Sequence, residues 1–143
     1  NLNLHFSVVN NQYFLHPDST RLLSDGTLTV IENCNVYNNW PYGFDVLSPY
    51  MEMVGKENSK NNFISNKVDY FIAELDTETG GITSGCQFEF LGNNRYEKNM
   101  NYMEYMNMVY PDNQHEFTII PGLGHTINTY SSYIFNNYID SIF

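Results

Sequence analysis

The most regular part of the chain begins at Val68-Asp-Tyr-Phe-Ile-Ala73, a run rich in β-branched and aromatic side chains. Its middle is continuously apolar, which is typical of a strand covered on both faces. A polar loop follows it, Glu74-Leu-Asp-Thr-Glu-Thr-Gly-Gly81. A second apolar run, Glu116-Phe-Thr-Ile-Ile-Pro121, predicts another buried strand, and the chain then turns at Gly122-Leu-Gly-His-Thr126. We therefore expect two strong strands, each followed by a polar loop.

A helix is predicted after each of these strands. The first spans residues 95–110 and ends because Pro111 follows it. Its apolar stripe, which we expect to face the core, is Met100, Met103, Met106 and Val109. Arg95 could pair with Glu97 or with a carboxylate of the irregular segment over residues 10–67, or be an ordinary surface charge. The last helix follows Thr126, and its apolar face is Ile127, Tyr130, Ile134, Tyr138 and Ile142. Strand, loop, helix, strand, loop, helix is the order of an α/β protein with a parallel sheet.

The first 67 residues are much less regular. Leu4-His-Phe-Ser-Val-Val9 predicts a short buried strand, but between Asn10 and Lys67 the only strand-like run is Thr27-Leu-Thr-Val-Ile31. An irregular segment of this length is unusual in a compact domain and indicates a functional excursion. The excursion could cover a substrate pocket or simply pack down through its aromatic side chains. We predict one partial domain, with the strand and excursion over residues 1–67 and a βαβα segment over 68–143.

Size and charge narrow the possible partners. The chain has 143 residues and a mass of 16.7 kDa, which suits one domain. Its net charge of −10 and pI near 4.5 argue against nucleic acid and anionic membranes as partners. No apolar run approaches the roughly 18 residues of a transmembrane helix, so we expect no membrane insertion and a soluble, acidic protein.

The cysteines and histidines show no metal-site spacing. Cys34 and Cys86 stand 52 positions apart, without a Cys-x-x-Cys pair. They could form one disulfide or be two buried thiols, and we favour the thiols. Residues 76–81 resemble the start of a calcium-binding loop, with acids at its first and third positions. Gln87 stands at the twelfth position, where such a loop needs glutamate. We therefore predict no metal and no cofactor. The histidines expected at the surface or in turns are His5, His16 and His115.

Asp76 and His125 are the candidate catalytic residues. Open α/β sheets place ligands beyond the carboxyl ends of their strands, and each residue lies just after one of the two strong strands. An acid followed about fifty residues later by a histidine has the chain order of the second and third members of a Ser…Asp…His triad. In a triad the imidazole takes the proton of the nucleophile, and the carboxylate holds its tautomer. Gly122 and Gly124 let the second loop turn sharply.

Each candidate also has a structural alternative. His125 could only close a tight glycine turn, and Asp76 could only cap a turn or accept a backbone hydrogen bond. Asp69 is a poorer acid candidate because it comes early in its strand, and we expect Glu74 to point away from the site.

Three segments resemble, in this order, the C-terminal half of an α/β-hydrolase. They are Val68-Asp-Tyr-Phe-Ile-Ala-Glu-Leu-Asp-Thr77, Leu91-Gly-Asn-Asn-Arg-Tyr-Glu-Lys98 and Phe117-Thr-Ile-Ile-Pro-Gly-Leu-Gly-His125. They are most similar to an esterase-like branch with the progression GExDT, QGxNRxERG and VPGVGH. Cys34-Asn-Val-Tyr-Asn-Asn-Trp-Pro-Tyr-Gly-Phe44 and Phe6-Ser-Val-Val-Asn10 also resemble stretches of that branch. The resemblance implies a serine hydrolase acting on a small ester-like substrate, with Asp76 as acid and His125 as base.

The nucleophile of that family is missing from the chain. It lies in a Gly-x-Ser-x-Gly elbow between a strand and a helix, whereas Gly81-Ile-Thr-Ser-Gly85 has the wrong spacing and follows the acid. We expect the serine upstream of Asn1, so that this polypeptide alone hydrolyses nothing and needs an N-terminal half or a partner chain. The alternatives are a non-enzymatic binding or structural module and a hydrolase-derived pseudoenzyme.

Overall fold

The computed structural model describes residues 5–82 and 84–142. The strands are β1 (Phe6–Val9), β2 (Thr20–Leu22), β3 (Leu28–Val30), β4 (Val68–Ala73) and β5 (His115–Ile120). The helices are α1 (Pro49–Val54), α2 (Lys56–Ser65), α3 (Arg95–Val109) and α4 (Tyr133–Ile142). Short 3₁₀ turns span Glu89–Leu91 and Ile127–Ser131. Within these residues, no helix combines the length and the apolar character needed to span a membrane.

A parallel sheet of three strands organises the fold, with β4 between β1 and β5. Phe71 of β4 pairs with Val9 on one side and with Thr118 on the other. Every residue of β4 is buried, as its continuous apolar run predicts. Strands β2 and β3 form a separate antiparallel pair, and among the described residues no strand pairs with the outer edge of β1. The α/β class predicted from the sequence is confirmed.

Helix α3 covers one face of the sheet. Its Tyr102 ring lies 5.9 Å from the ring of Tyr70 on β4 and stacks on Phe14 at 4.3 Å. The buried residues of α3 are Arg95, Lys98, Asn99, Tyr102, Tyr105 and Met106. Of the predicted methionine stripe, only Met106 is fully buried. Steps of three residues drift around a helix of 3.6 residues per turn, so the stripe cannot stay on one face.

Helix α4 lies on the opposite face of the sheet. The ring of Phe71 contacts those of Phe135 at 5.0 Å and Tyr138 at 4.9 Å. The Tyr138 hydroxyl also donates a 2.7 Å hydrogen bond to Asp69 Oδ2. The helix begins at Tyr133, not directly after Thr126, because a 3₁₀ turn intervenes. The prediction that the apolar face of this helix begins at Ile127 is therefore wrong, because Ile127 lies in the 3₁₀ turn and is 80% exposed.

Residues 10–67, expected to be an irregular segment, contain two helices. Helix α1 starts at Pro49 and is capped by Ser48, whose hydroxyl accepts the Met51 N–H. Helix α2 has no fully buried residue and is polar on nearly all sides. A helical period of apolar residues appears in the sequence only when one face of the helix is buried. The sequence pattern therefore does not predict α2.

Polar contacts join the excursion to α3. The Asp18 carboxylate accepts hydrogen bonds from the hydroxyls of Tyr105 at 2.9 Å and Tyr110 at 2.7 Å. Arg21, which is 1% exposed, donates to the Tyr37 carbonyl at 2.9 Å and to Asn38 Oδ1 at 3.0 Å. The contacts of Asp18 join this segment to α3, and those of Arg21 hold the segment together internally.

Cys34 and Cys86 form a disulfide, so the expectation of two free thiols is wrong. Their Cα atoms lie 5.8 Å apart, although the residues are 52 positions apart in the chain. Folding of the excursion creates this proximity, which the sequence spacing could not show. The bridge links the excursion to the segment that leads into α3.

Candidate active site

The loops after β4 and β5 bring Asp76 and His125 together. His125 Nδ1 lies 3.0 Å from Asp76 Oδ2, a hydrogen-bond distance. The Asp76 side chain is 2% exposed, whereas that of His125 is 53% exposed. A buried carboxylate therefore orients an imidazole whose other nitrogen, Nε2, remains available to a reacting group.

Three hydrogen bonds join the two loops and hold this arrangement. The Glu74 N–H donates to the Ile120 carbonyl at 3.0 Å, and the Leu75 N–H donates to the Leu123 carbonyl at 2.8 Å. Glu74 Oε2 accepts the Gly122 N–H at 2.8 Å. Glu74 thus takes no part in the hydrogen bond to His125 and instead fixes the loop that carries it.

Gly122 and Gly124 serve this loop in different ways. Gly122 has φ of +72°, a left-handed conformation that favours glycine. At Gly124 an added Cβ would lie 3.4 Å from the Leu75 carbonyl oxygen. Only Gly122 is required by its backbone conformation, because a Cβ at Gly124 would make an ordinary van der Waals contact with the other loop.

The start of α3 also anchors Asp76. The Tyr96 N–H donates to the Asp76 carbonyl at 3.0 Å, and Arg95 Nη1 lies 3.6 Å from Asp76 Oδ1. The expected pairing of Arg95 with Glu97 is absent from the described contacts, because Glu97 instead accepts the Asn93 N–H at 2.8 Å. Sequence reasoning missed the contact between Arg95 and Asp76, and no local spacing could have indicated it.

A cavity of about 280 Å³ opens beside His125. Its lining residues are Val9, Asn10, His125, Thr126, Ile127 and Tyr130. Asn10 lies just after β1, where its Oδ1 accepts the Ala73 N–H at 3.0 Å and its Nδ2 donates to Thr129 Oγ1 at 2.9 Å. Asn10 therefore joins the ends of β1 and β4 to the turn that follows His125, and sequence reasoning did not single it out.

The other acidic and histidine candidates lie outside this site. Asp69 is buried in β4, where it accepts the Tyr138 hydroxyl. The sequence predicts His16 and His115 at the surface or in turns; both are buried, so the surface alternative is wrong, and His115 lies in β5, not in a turn. Burial, reinforced by the charge of Arg21, lowers the pKa of His16 well below 6.5, and burial lowers the pKa of His115 in the same direction. Both are histidines of the protein interior.

Two common kinds of site are not present in the part of the chain that the structure describes. No group of three or more His, Cys, Asp or Glu side chains is placed to hold a metal ion. The two cysteines are joined to each other, so neither is a free thiol nucleophile. The chemistry that the described site can offer is that of an acid–base pair.

Neither a family model nor a curated protein matches the sequence, but solved structures match its fold, two hydrolases among them. The LpqC poly(3-hydroxybutyrate) depolymerase from Bordetella parapertussis aligns with a TM-score of 0.67 and 14% identity, over 94% of this chain and 40% of its own. Poly(aspartic acid) hydrolase-1 from Sphingomonas sp. KT-1 aligns with a TM-score of 0.61 and 13% identity, over 91% of this chain and 43% of its own.

The likeness to these two hydrolases concerns the fold. The chain spans about two fifths of the length of each. Its parallel sheet and covering helices are consistent with part of an α/β-hydrolase fold, as the resemblance in the sequence predicted.

Proposed function

We propose that Asp76 and His125 are the acid and base of a serine hydrolase that cleaves carboxylic esters by acyl transfer. The observation that carries this proposal is the 3.0 Å contact from the buried Asp76 carboxylate to Nδ1 of a half-exposed imidazole. The cavity beside His125 offers space for a substrate group within reach of the imidazole. The names of the two structural neighbours, a depolymerase and a hydrolase, favour the same class of reaction.

Each protein group has a defined role in the proposed mechanism. Nε2 of His125 accepts the proton of a serine hydroxyl as that oxygen attacks the ester carbonyl. Asp76 accepts a hydrogen bond from Nδ1–H throughout, and the proton stays on the imidazole; this selects the tautomer with a free Nε2 and stabilises the imidazolium. The imidazolium then protonates the leaving alkoxide, and a water molecule releases the acyl group by the reverse sequence of proton transfers.

We propose that the serine and the oxyanion hole come from outside these 143 residues, from a preceding half of a longer polypeptide or from a partner chain. The outer edge of β1 is unpaired within the described residues. An apolar groove of about 260 Å³ lies beside it, and Phe6, Val8, Phe63 and Tyr70 are among its lining residues. An open strand edge with an apolar surface is suited to receive a further strand.

Site-directed variants of the protein that carries the serine test the roles of Asp76 and His125. Asp76→Asn is expected to lower kcat on the order of 10⁴-fold, because the amide favours the wrong tautomer. His125→Ala is expected to lower kcat at least as much. Asp25→Asn, an exposed carboxylate in a turn, and His5→Ala are the matched controls and should leave turnover unchanged. Wild-type turnover in His125→Ala would refute the proposal.

Two further measurements test the origin of the nucleophile. If the serine precedes this chain in one polypeptide, the intact mass of the native protein should be well above 16.7 kDa, with upstream peptides that contain Gly-x-Ser-x-Gly. The 143-residue chain alone should not react with a fluorophosphonate probe. A probe adduct on one of its own serines would contradict an external nucleophile.

The alternative is a binding module that shares the fold without the reaction. The absence of a Gly-x-Ser-x-Gly motif from these 143 residues favours it. It predicts a native mass near 16.7 kDa and a cooperative thermal transition of the monomer. A fragment with an open sheet edge should instead associate or unfold gradually.

A further inference from the structure

Arg95 supplies the buried positive charge next to Asp76. Its side chain is 8% exposed, and Nη1 lies 3.6 Å from Asp76 Oδ1. Its other terminal nitrogen, Nη2, donates a 2.9 Å hydrogen bond to the Gly81 carbonyl. Arg95 is the first residue of α3, so the helix places the guanidinium relative to β4 and the loop that follows it.

The two oxygens of the Asp76 carboxylate have unequal surroundings. Oδ2 contacts the imidazole of His125, whereas Oδ1 is buried and has no hydrogen-bond partner among the described residues. A buried charge without compensation is costly, and here the nearby cation that compensates it is Arg95. Because the attraction acts on Oδ1 while Oδ2 contacts His125, it opposes rotation of the carboxylate away from the imidazole.

We propose that Arg95 is a positioning residue, whose guanidinium holds the Asp76 carboxylate in the orientation that presents Oδ2 to His125 Nδ1. This inference rests on the proposed function for its kinetic consequence. Its structural consequence, the tautomer of His125, can be measured without any turnover. The hydrogen bond to Gly81 keeps the guanidinium in place while its charge acts on Asp76.

Lys98 provides a matched control on the same helix. It is also a buried cation, 2% exposed, and lies one turn after Arg95. Its Nζ donates to the Phe88 carbonyl at 3.2 Å and makes no described contact with Asp76. Lys98→Met therefore removes a buried positive charge from the first turns of α3 without removing the partner of Asp76.

The first test reads the tautomer of His125 from its ring-nitrogen chemical shifts in the full-length native protein, at a pH where the imidazole is neutral. The wild type and Lys98→Met should hold the proton on Nδ1, because Asp76 accepts a hydrogen bond from the Nδ1–H group. Arg95→Met should give a mixture of the two tautomers. Arg95→Lys should give a fraction of the Nδ1–H tautomer between those of the wild type and Arg95→Met, since lysine keeps the charge but loses the guanidinium fork. A pure Nδ1–H tautomer in Arg95→Met would overturn the proposal.

The second test measures kinetics in the protein that carries the serine. Arg95→Met should lower kcat about 10²-fold, the effect of a misplaced catalytic group, and change KM less than about threefold. Arg95→Lys should recover part of the loss, and Lys98→Met should match the wild type. A purely structural role would lower thermal stability in Arg95→Met but leave the tautomer and kcat of the folded fraction unchanged, and this result would refute the proposal.

These readouts separate failure of this inference from failure of the proposed function. If His125→Ala keeps wild-type turnover, the hydrolase proposal fails, while the tautomer still decides whether Arg95 orients Asp76. If His125→Ala abolishes turnover but both tests find Arg95→Met equal to the wild type, only the role of Arg95 fails. Should Arg95→Met not fold, the same comparisons apply to Arg95→Lys, where a wild-type tautomer and kcat would refute the need for the guanidinium.

Discussion

The disulfide between Cys34 and Cys86 should raise the unfolding free energy of the protein by an amount that can be measured directly. Cys34 and Cys86 are 52 positions apart. In the chain-entropy description, a cross-link over a loop of this length lowers the entropy of the denatured chain by about 14 cal/mol/K. That entropy loss is worth about 4 kcal/mol of unfolding free energy at 25 °C. We expect the double variant Cys34→Ser/Cys86→Ser to be less stable than the oxidised wild type by about this amount.

Urea unfolding followed by circular dichroism measures the difference. The oxidised wild type and the double variant are compared with and without a thiol reductant. The reductant should lower the unfolding free energy of the wild type to that of the variant and should leave the variant unchanged. The slope of free energy against urea should also rise on reduction, because a denatured chain without the cross-link exposes more surface.

Two outcomes would refute this reasoning. A difference below about 1 kcal/mol would show that the bridge constrains the denatured chain far less than its loop length predicts. An equal effect of the reductant on the variant would show that the stability change does not come from this disulfide.

Two further predictions concern an interior histidine and the loop that carries His125. The pKa of His16 is lowered by burial and then by Arg21, so the unfolded chain binds a proton below pH 6.5 that the folded chain does not. Its contribution to the unfolding free energy should therefore be complete above pH 6.5 and fall by about 1.4 kcal/mol per pH unit below it. Urea titrations from pH 7.5 to 5.5 should show a shallower fall for His16→Gln, and an unchanged slope would contradict this assignment. Gly122→Ala puts a Cβ on a residue with φ of +72°, and no atom lies within 4 Å of that Cβ. Because the Cβ meets no neighbour, backbone strain alone should lower the unfolding free energy by about 1 kcal/mol. Gly124→Ala, at a residue without positive φ, should cost less, and equal losses in thermal unfolding would show that φ is not the cause.

Local patterns in the sequence were strong enough to define the elements that carry the site. The apolar run of β4 and the helix ended by Pro111 appear within one residue of their predicted bounds. Each signal consists of neighbouring residues whose apolar order or backbone restriction acts over a few positions. The same approach missed α2, because a helix with no buried face has no apolar period to detect.

The composition of the site was predictable only in part. Asp76 and His125 could be selected because each follows a strand of a parallel sheet, where the carboxyl ends meet at one edge. Their assignment to catalysis stays a prediction for the variants above to test. Arg95 and Asn10 could not be selected, because their roles come from contacts with Asp76, Ala73 and Thr129 that no sequence spacing encodes.

The sequence by itself determined the α/β class and the two loops on which the candidate acid and base lie. These features depend on the alternation and length of apolar runs, which are properties of consecutive residues. Only the tertiary structure decided the pairing of Cys34 with Cys86 and the burial of Arg95 beside Asp76. A disulfide and a buried ion pair depend on distances between residues that are remote in the chain, and those distances exist only after the layers have packed.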